Sequence, residues 1–148
     1  MVTVDVTTLV HAPLDTTFAA MADHVALGAH MGGSSRLLTP GTDDPNGLGA
    51  VREIRSGGVR FVEEIVAFDA PHSYRYLILS CTLPIRHHKG EVTVVSEPAG
   101  TRIHWTSVFS IGVPLLGRHL EPLAARQARR GFGAILRGVK RTAEGSAA

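Results

Sequence analysis

The chain has one cysteine, Cys81, among 148 residues. A lone cysteine cannot close an internal disulfide, which removes the cross-linked secreted scaffolds and points to a reducing cytoplasm. Long apolar runs are also missing. None approaches the roughly 18 residues needed to span a bilayer. Residues Met1 to Val10 alternate and carry Asp5, without the basic start and continuous apolar stretch of a signal peptide. No Gly-x-Gly-x-x-Gly or Walker-type loop is present, so no nucleotide cradle is expected. Eight histidines raise the question of a metal. Yet no His-Glu-x-x-His or clustered Cys/His spacing occurs, and neither a metal nor any other cofactor is expected. His87 and His88 are adjacent, so on a strand they point to opposite faces. Near the tip of a hairpin they read as an exposed loop or as part of a cavity mouth. Cys81 reads as core or near-core, since no orienting triad for a nucleophile can be argued.

Acidic residues are scarce in the last third of the chain. Arg118, Arg126, Arg129, Arg130, Arg137, Lys140 and Arg141 are opposed there only by Glu121 and Glu144. Such a stripe reads first as a solvated helix face, with an anionic membrane surface as the alternative. No aromatic residue interleaves with it on that face, and nucleic acid is not expected as a partner.

What is present is ordinary in amount: 44% hydrophobic and 19% charged residues suit a globular protein. The length suits one domain over residues 1–148 with a real core. Thr3 to Thr7 alternates with period two and predicts a strand. Pro13 suits a first helical turn and Asp15 the positive end of a helix. Leu14, Phe18, Met21, Ala22 and Val25 follow at helical spacing, which predicts a helix from Leu14 to Val25 and a short second one over Ala26 to Met31. Gly32-Gly33-Ser34-Ser35 and residues 40–47 are loop chemistry. Five strands follow: Ala50 to Arg55, Val59 to Phe68, Tyr74 to Cys81, Glu91 to Val95 and Thr101 to Ile111. Gly57-Gly58 is a two-residue hairpin signal between the first two. From Pro114 or Pro122 to about Thr142 the pattern is helical. Its basic face lies opposite Ala124, Ala128, Gly131, Ile135, Gly138 and Val139. Gly131 and Gly138 each cost a helix about 1 kcal/mol, which predicts close approach to the sheet or open space beneath. One sheet with a long helix across it is a two-layer α+β design.

The turns set the registers and so the faces. With Gly57-Gly58 as the loop, Ser56 pairs with Val59 and Arg52 lies opposite Glu63. With Asp69 to His72 as the next loop, Phe68 pairs with Ser73 and Ile65 lies opposite Tyr76. With Glu97 to Gly100 as the last loop, Val94 lies opposite Ile103 and Val92 opposite Trp105. One face therefore collects Arg52, Glu63, Ile65, Tyr74, Tyr76, Ile78, Val94 and Trp105. Two opposite charges in apolar company are a weak device for stability but suit the orienting points of a ligand pocket. The alternative is that they neutralise each other at a wet sheet edge.

Several stretches carry a family resemblance. Gly49-Ala50-Val51-Arg52, Glu63 through Pro71, Tyr74-Arg75-Tyr76 and Gly100-Thr101-Arg102-Ile103-His104-Trp105 together resemble the polyketide cyclase/dehydrase branch of the START-like (SRPBCC) superfamily. The opening strand with Ala12-Pro13-Leu14 and Phe18 is similar to that family's entry segment. The resemblance spans nearly the whole chain. It implies a helix-grip fold, in which a curved antiparallel sheet wraps around a long C-terminal helix and encloses a deep cavity. Family members include aromatase/cyclases, lipid carriers and hormone receptors.

Three functions compete on these grounds. In the first, a hydrophobic or aromatic small molecule, lipid- or polyketide-like, sits between sheet and helix. Its wall is then Ile65, Tyr74, Tyr76, Ile78, Val94 and Trp105, with Arg52 and Glu63 as polar points. In the second, the same cavity is a cyclase or dehydratase site. Arg52 then holds an oxyanion or carboxylate, Glu63 is acid or base, and Tyr74 or Tyr76 donates a hydrogen bond. In the third, the basic C-terminal helix makes the chain a regulatory or toxin-like interaction protein.

Overall fold

The computed structural model describes residues 1–146. In chain order the elements are β1 (Val2–Val10), α1 (Leu14–Met21), α2 (Leu27–His30), β2 (Ser34–Thr39), β3 (Val51–Ser56), β4 (Val59–Asp69), β5 (Ser73–Cys81), β6 (Ile85–Glu97), β7 (Gly100–Ile111) and α3 (Gly117–Ser146). The seven strands form one antiparallel sheet in the order β1-β7-β6-β5-β4-β3-β2. β2 to β7 make a meander, and β1 returns to pair with β7, placing Val6 opposite Trp105. The long helix packs across this sheet, which is the helix-grip arrangement. Among the described residues no helix is long and apolar enough to cross a membrane.

The Gly57-Gly58 hairpin has the expected geometry. Both glycines have positive φ, 57° and 80°, as a tight two-residue turn requires. Ser56 lies opposite Val59 and Arg52 opposite Glu63. The next turn is one residue shorter than expected, so Phe68 meets Tyr74 rather than Ser73. A bulge between Ile65 and Ala67 then takes Val66 out of register. The two changes cancel, and Ile65 still lies opposite Tyr76.

Element boundaries differ from the sequence reading most at β2, α1 and β6. β2 occupies Ser34–Thr39: Ser34 and Ser35 fall in a stretch read as loop, and Arg36 to Thr39 carry no strand signal because apolar residues do not alternate there. Polar contacts hold it instead. Ser35 Oγ accepts from Gly28 N–H at 2.9 Å and donates to the Val25 carbonyl at 2.8 Å. Arg36 Nε bonds Glu53 at 3.2 Å. Glu53, on the face away from α3, is covered by Arg60, Arg55 and Arg36. Hydrogen bonds from Arg60 and then Arg55 lower its carboxyl to about 2. α1 stops at Met21 rather than Val25. β6 begins at Ile85 rather than near Glu91, because a bulge at His88 lets it continue alongside β7.

The C-terminal half of α3 makes the core. Ile135, Leu136, Val139 and Ala143 are buried with Phe18 and Met21 of α1 and with Val10, Ile65, Tyr74, Val94 and Ile103 of the sheet. Gly138 belongs to this packed region: a Cβ there would stand 2.1 Å from His30 Nδ1 and 2.8 Å from His30 Cβ. It therefore serves close approach to α2, not open space. Arg126, Arg129, Arg130, Arg137 and Arg141 are exposed, as a solvated stripe should be. Lys140 is the exception. It is half-buried, and its Nζ donates to the Leu9 carbonyl at 2.9 Å and pairs with Glu144 at 2.6 Å.

Candidate ligand cavity

Beneath the N-terminal half of α3 the interface is hollow. A cavity of about 450 Å³ lies between the helix and β3 to β7. Ile54, Phe61, Ile78 and Trp105 line its sheet side, and Ala124, Ala128, Gly131 and Phe132 its helix side. Leu83, Leu120 and Leu123 also line it and are exposed, so they form the mouth. The Phe132 ring stacks on Trp105 with centroids 3.8 Å apart and planes 6° from parallel. That stack joins helix to sheet where packed core gives way to open space.

The polar points of the cavity form a connected network. Arg52 is 2% exposed, and its Nε and Nη2 meet the same Glu63 oxygen, Oε1, at 2.7 and 2.6 Å. Oε2 takes no part in either bond. Arg52 Nη1 donates to His24 Nδ1 at 2.7 Å. The Nε2–H of His24 must then donate to the Asn46 carbonyl, 2.8 Å away. His24 is thus a neutral acceptor. Burial, then the Arg52 charge, lowers its pKa to about 2. The guanidinium also lies 5.0 Å from the Tyr76 ring centroid and 6.0 Å from that of Tyr74. Opposite charges, ring faces and a neutral imidazole together offset the desolvation of Arg52.

The sequence-derived site residues divide between the two halves. Arg52, Glu63, Tyr76, Ile78 and Trp105 line the cavity. Ile65, Tyr74 and Val94 face the same side of the sheet but lie in the packed core, not in the cavity wall. α1 covers that end of the sheet: Phe18 sits edge-on to Tyr74, whose hydroxyl is spent on the Met21 carbonyl at 3.1 Å. Cys81 is half-buried, and burial pushes its thiol up, away from nucleophile chemistry.

Of the remaining site residues, His24 escaped the sequence reading, and His87 reads there only as an exposed loop or cavity-mouth position. His24 falls after the true end of α1, and its only visible signal is its position three residues beyond the buried Met21. His87 turns inward because the bulge shifts His88 out of register. His87 stacks on Tyr76 at 5.3 Å, accepts the Ile78 N–H at its Nδ1 and meets Ser107 Oγ with its Nε2. Burial, then the neighbouring His88, lowers its pKa to about 4. Among the described residues, no three His, Cys, Asp or Glu side chains converge as metal ligands would.

Comparison with known proteins agrees with this architecture. A protein from Thermus thermophilus superposes with a TM-score of 0.79 at 17% identity, covering 99% of this chain and 100% of that one. A Thermobifida fusca protein gives 0.68 at 22% identity, covering 96% and 95%. Ara h 8.0201 gives 0.64 at 18% identity, covering 93% and 97%. At such identities these likenesses speak for the fold alone. No curated protein matches the sequence significantly. The family model described as polyketide cyclase/dehydrase and lipid transport matches residues 1–144, nearly the entire chain, and the protein belongs to that family.

Proposed function

We propose that the protein binds a neutral hydrophobic small molecule, aromatic or lipid-like, in the cavity under the N-terminal half of α3. The observation that carries this reading is a large apolar hollow whose one ion pair among the described residues, Arg52–Glu63, is already internally neutralised. A volume of about 450 Å³ falls in the usual range of ligand sites. Its apolar lining, left to water, forgoes burial that a hydrophobic ligand would restore. Small residues at Ala124, Ala128 and Gly131 keep the space open where larger side chains would close it. The charge balance selects against anions. A buried ligand carboxylate would lie beside Glu63 with Arg52 already committed, and like charges in a dry site repel strongly.

The cyclase or dehydratase alternative uses the same walls, but it asks Glu63 to exchange a proton through a carboxylate whose Oε1 already takes two N–H groups from Arg52. The binding reading therefore stands ahead of it. Titration with N-phenyl-1-naphthylamine, a neutral probe, tests it through Trp105, the sole tryptophan. Saturable quenching of Trp105 at one probe per chain is expected, with laurate binding more weakly. Absence of a saturable response, or a preference for laurate, would overturn the proposal.

A further inference from the structure

The reading just given leaves open what polar group the ligand carries, and the hydrogen-bond protons of the cavity wall answer that. Resting on that reading, we infer that the site selects a ligand bearing an acceptor oxygen, a ketone or ester carbonyl, presented to the hydroxyls of Tyr76 and Ser107.

A hydroxyl has one proton to donate and lone pairs to accept. Trp105 Nε1–H can only donate, and it lies 2.9 Å from the Tyr76 hydroxyl oxygen, so Tyr76 accepts there. His87 Nδ1 accepts the Ile78 N–H at 3.1 Å, so the ring proton of neutral His87 sits on Nε2. That Nε2–H donates to Ser107 Oγ at 3.0 Å. Burial keeps His87 neutral near pH 7 and pushes the Tyr76 phenol upward, so neither assignment changes at physiological pH. Each hydroxyl therefore receives an N–H from a neighbouring ring and still holds its own proton. No hydrogen bond from either hydroxyl to another protein group is seen among the described residues. Both side chains line the cavity.

The two donors also stand together. Tyr76 is opposite Gly90 across β5 and β6, and Gly90 is opposite Ser107 across β6 and β7. All three share one row across the sheet. Gly90 makes the row possible. A Cβ there would stand 2.3 Å from Tyr76 Cζ, so the ring lies directly over the glycine and carries its hydroxyl toward β7. A neutral donor pair facing an apolar hollow is unsatisfied unless water or a ligand accepts from it. A ligand that displaces that water must supply the acceptor itself or lose affinity. Glu63, on the same wall, offers an acceptor to a ligand hydroxyl, but the Tyr76–Ser107 pair is the feature that discriminates a carbonyl from a hydrocarbon.

Two near-isosteres separate the possibilities: 2-acetylnaphthalene and 2-isopropenylnaphthalene, which differ by C=O against C=CH2. Calorimetric titration of the wild-type protein should favour the ketone about tenfold beyond the ratio of their octanol–water partition coefficients, the effect of one good hydrogen bond. Ser107→Ala and Tyr76→Phe should each narrow that preference. Tyr76→Phe leaves Trp105 Nε1–H unpaired and can disturb the fold, so a second measurement uses the wild-type protein alone. The infrared carbonyl stretch of bound, ¹³C-labelled 2-acetylnaphthalene should fall below its value in hexane. Equal corrected affinities with an unshifted carbonyl would overturn the inference while leaving the cavity as a hydrophobic site. Failure of both compounds to bind would remove the ligand-binding reading itself, and this inference with it.

Discussion

The two halves of the α3–sheet interface share one helix and one sheet, yet one is solid and the other hollow. At the C-terminal half the helix offers Ile135, Leu136, Val139 and Ala143, all buried. At the N-terminal half it offers Ala124, Ala128 and Gly131 over the cavity, with Leu120 and Leu123 drawn out to the mouth. The sheet shows the same division: Ile65, Tyr74 and Val94 at the packed end, Ile78 and Ser107 at the open one. The difference teaches how a small fold carries a cavity. Stability is concentrated at one end, where α1 packs against both the sheet and α3, so the other end need not be filled for the chain to fold. The Arg52–Glu63–His24 network stands at the boundary, touching the core through Tyr74 and the cavity through Glu63 and Tyr76.

The comparison is sharpened most by making one substitution at both ends. Gly138→Ala drives a Cβ into His30, including that residue's own Cβ at 2.8 Å, so α2 must move. A loss of about 1–3 kcal/mol is expected in urea unfolding. Gly131→Ala meets only the flexible tip of Met31 at 3.3 Å. There the helix propensity of alanine should dominate, leaving stability unchanged or raised by up to about 1 kcal/mol. Equal losses at the two sites would erase the distinction between packed and hollow halves.

The inward face of the sheet was legible in the sequence, but its division into a packed and a hollow end was not. The glycine turn at 57–58 made the β3–β4 register readable, and with it the Arg52–Glu63 pairing. The β4–β5 register came out right at Ile65 and Tyr76 only because a bulge offset a misjudged turn, and bulges leave little trace in hydrophobic alternation. The bulge at His88 is equally traceless, so His87 reads as a loop or cavity-mouth position and not as the inward-facing strand residue it is. β2 was illegible because serine and arginine contacts, not apolar alternation, hold that edge strand. Ile65, Tyr74 and Val94 were placed on the correct face. Alternation along a strand fixes up or down, however, and says nothing about which end of the helix lies above. Gly138 shows the same limit from the helix side: a small residue marks either a void or a close neighbour, and only the tertiary contact to His30 distinguishes them.

A smaller effect tests the boundary network. His24 is held neutral in the folded protein with its pKa lowered to about 2, against 6.5 when unfolded. Below pH 6.5 the unfolded chain therefore binds the extra proton, and stability falls as pH falls, continuing toward the folded value. The slope is at most about 1.4 kcal/mol per pH unit for one such group. Urea unfolding at pH 7 and pH 5 should show a smaller acid loss for His24→Gln, whose amide oxygen can still accept from Arg52, by on the order of 1 kcal/mol. Identical pH dependence in the two proteins would mean that His24 is not the buried neutral group described.

The central claim is that the hollow half is the ligand site, and filling it is the direct test. Ile78 faces the cavity from β5 and is only partly buried, so Ile78→Trp adds bulk to the open space without entering the core. Calorimetric titration of that variant with N-phenyl-1-naphthylamine should show affinity reduced at least about tenfold, the equivalent of 1.4 kcal/mol, while its melting temperature stays close to that of the wild type. Wild-type affinity in a folded Ile78→Trp protein would contradict the account, because the probe would then bind somewhere other than the cavity beneath α3.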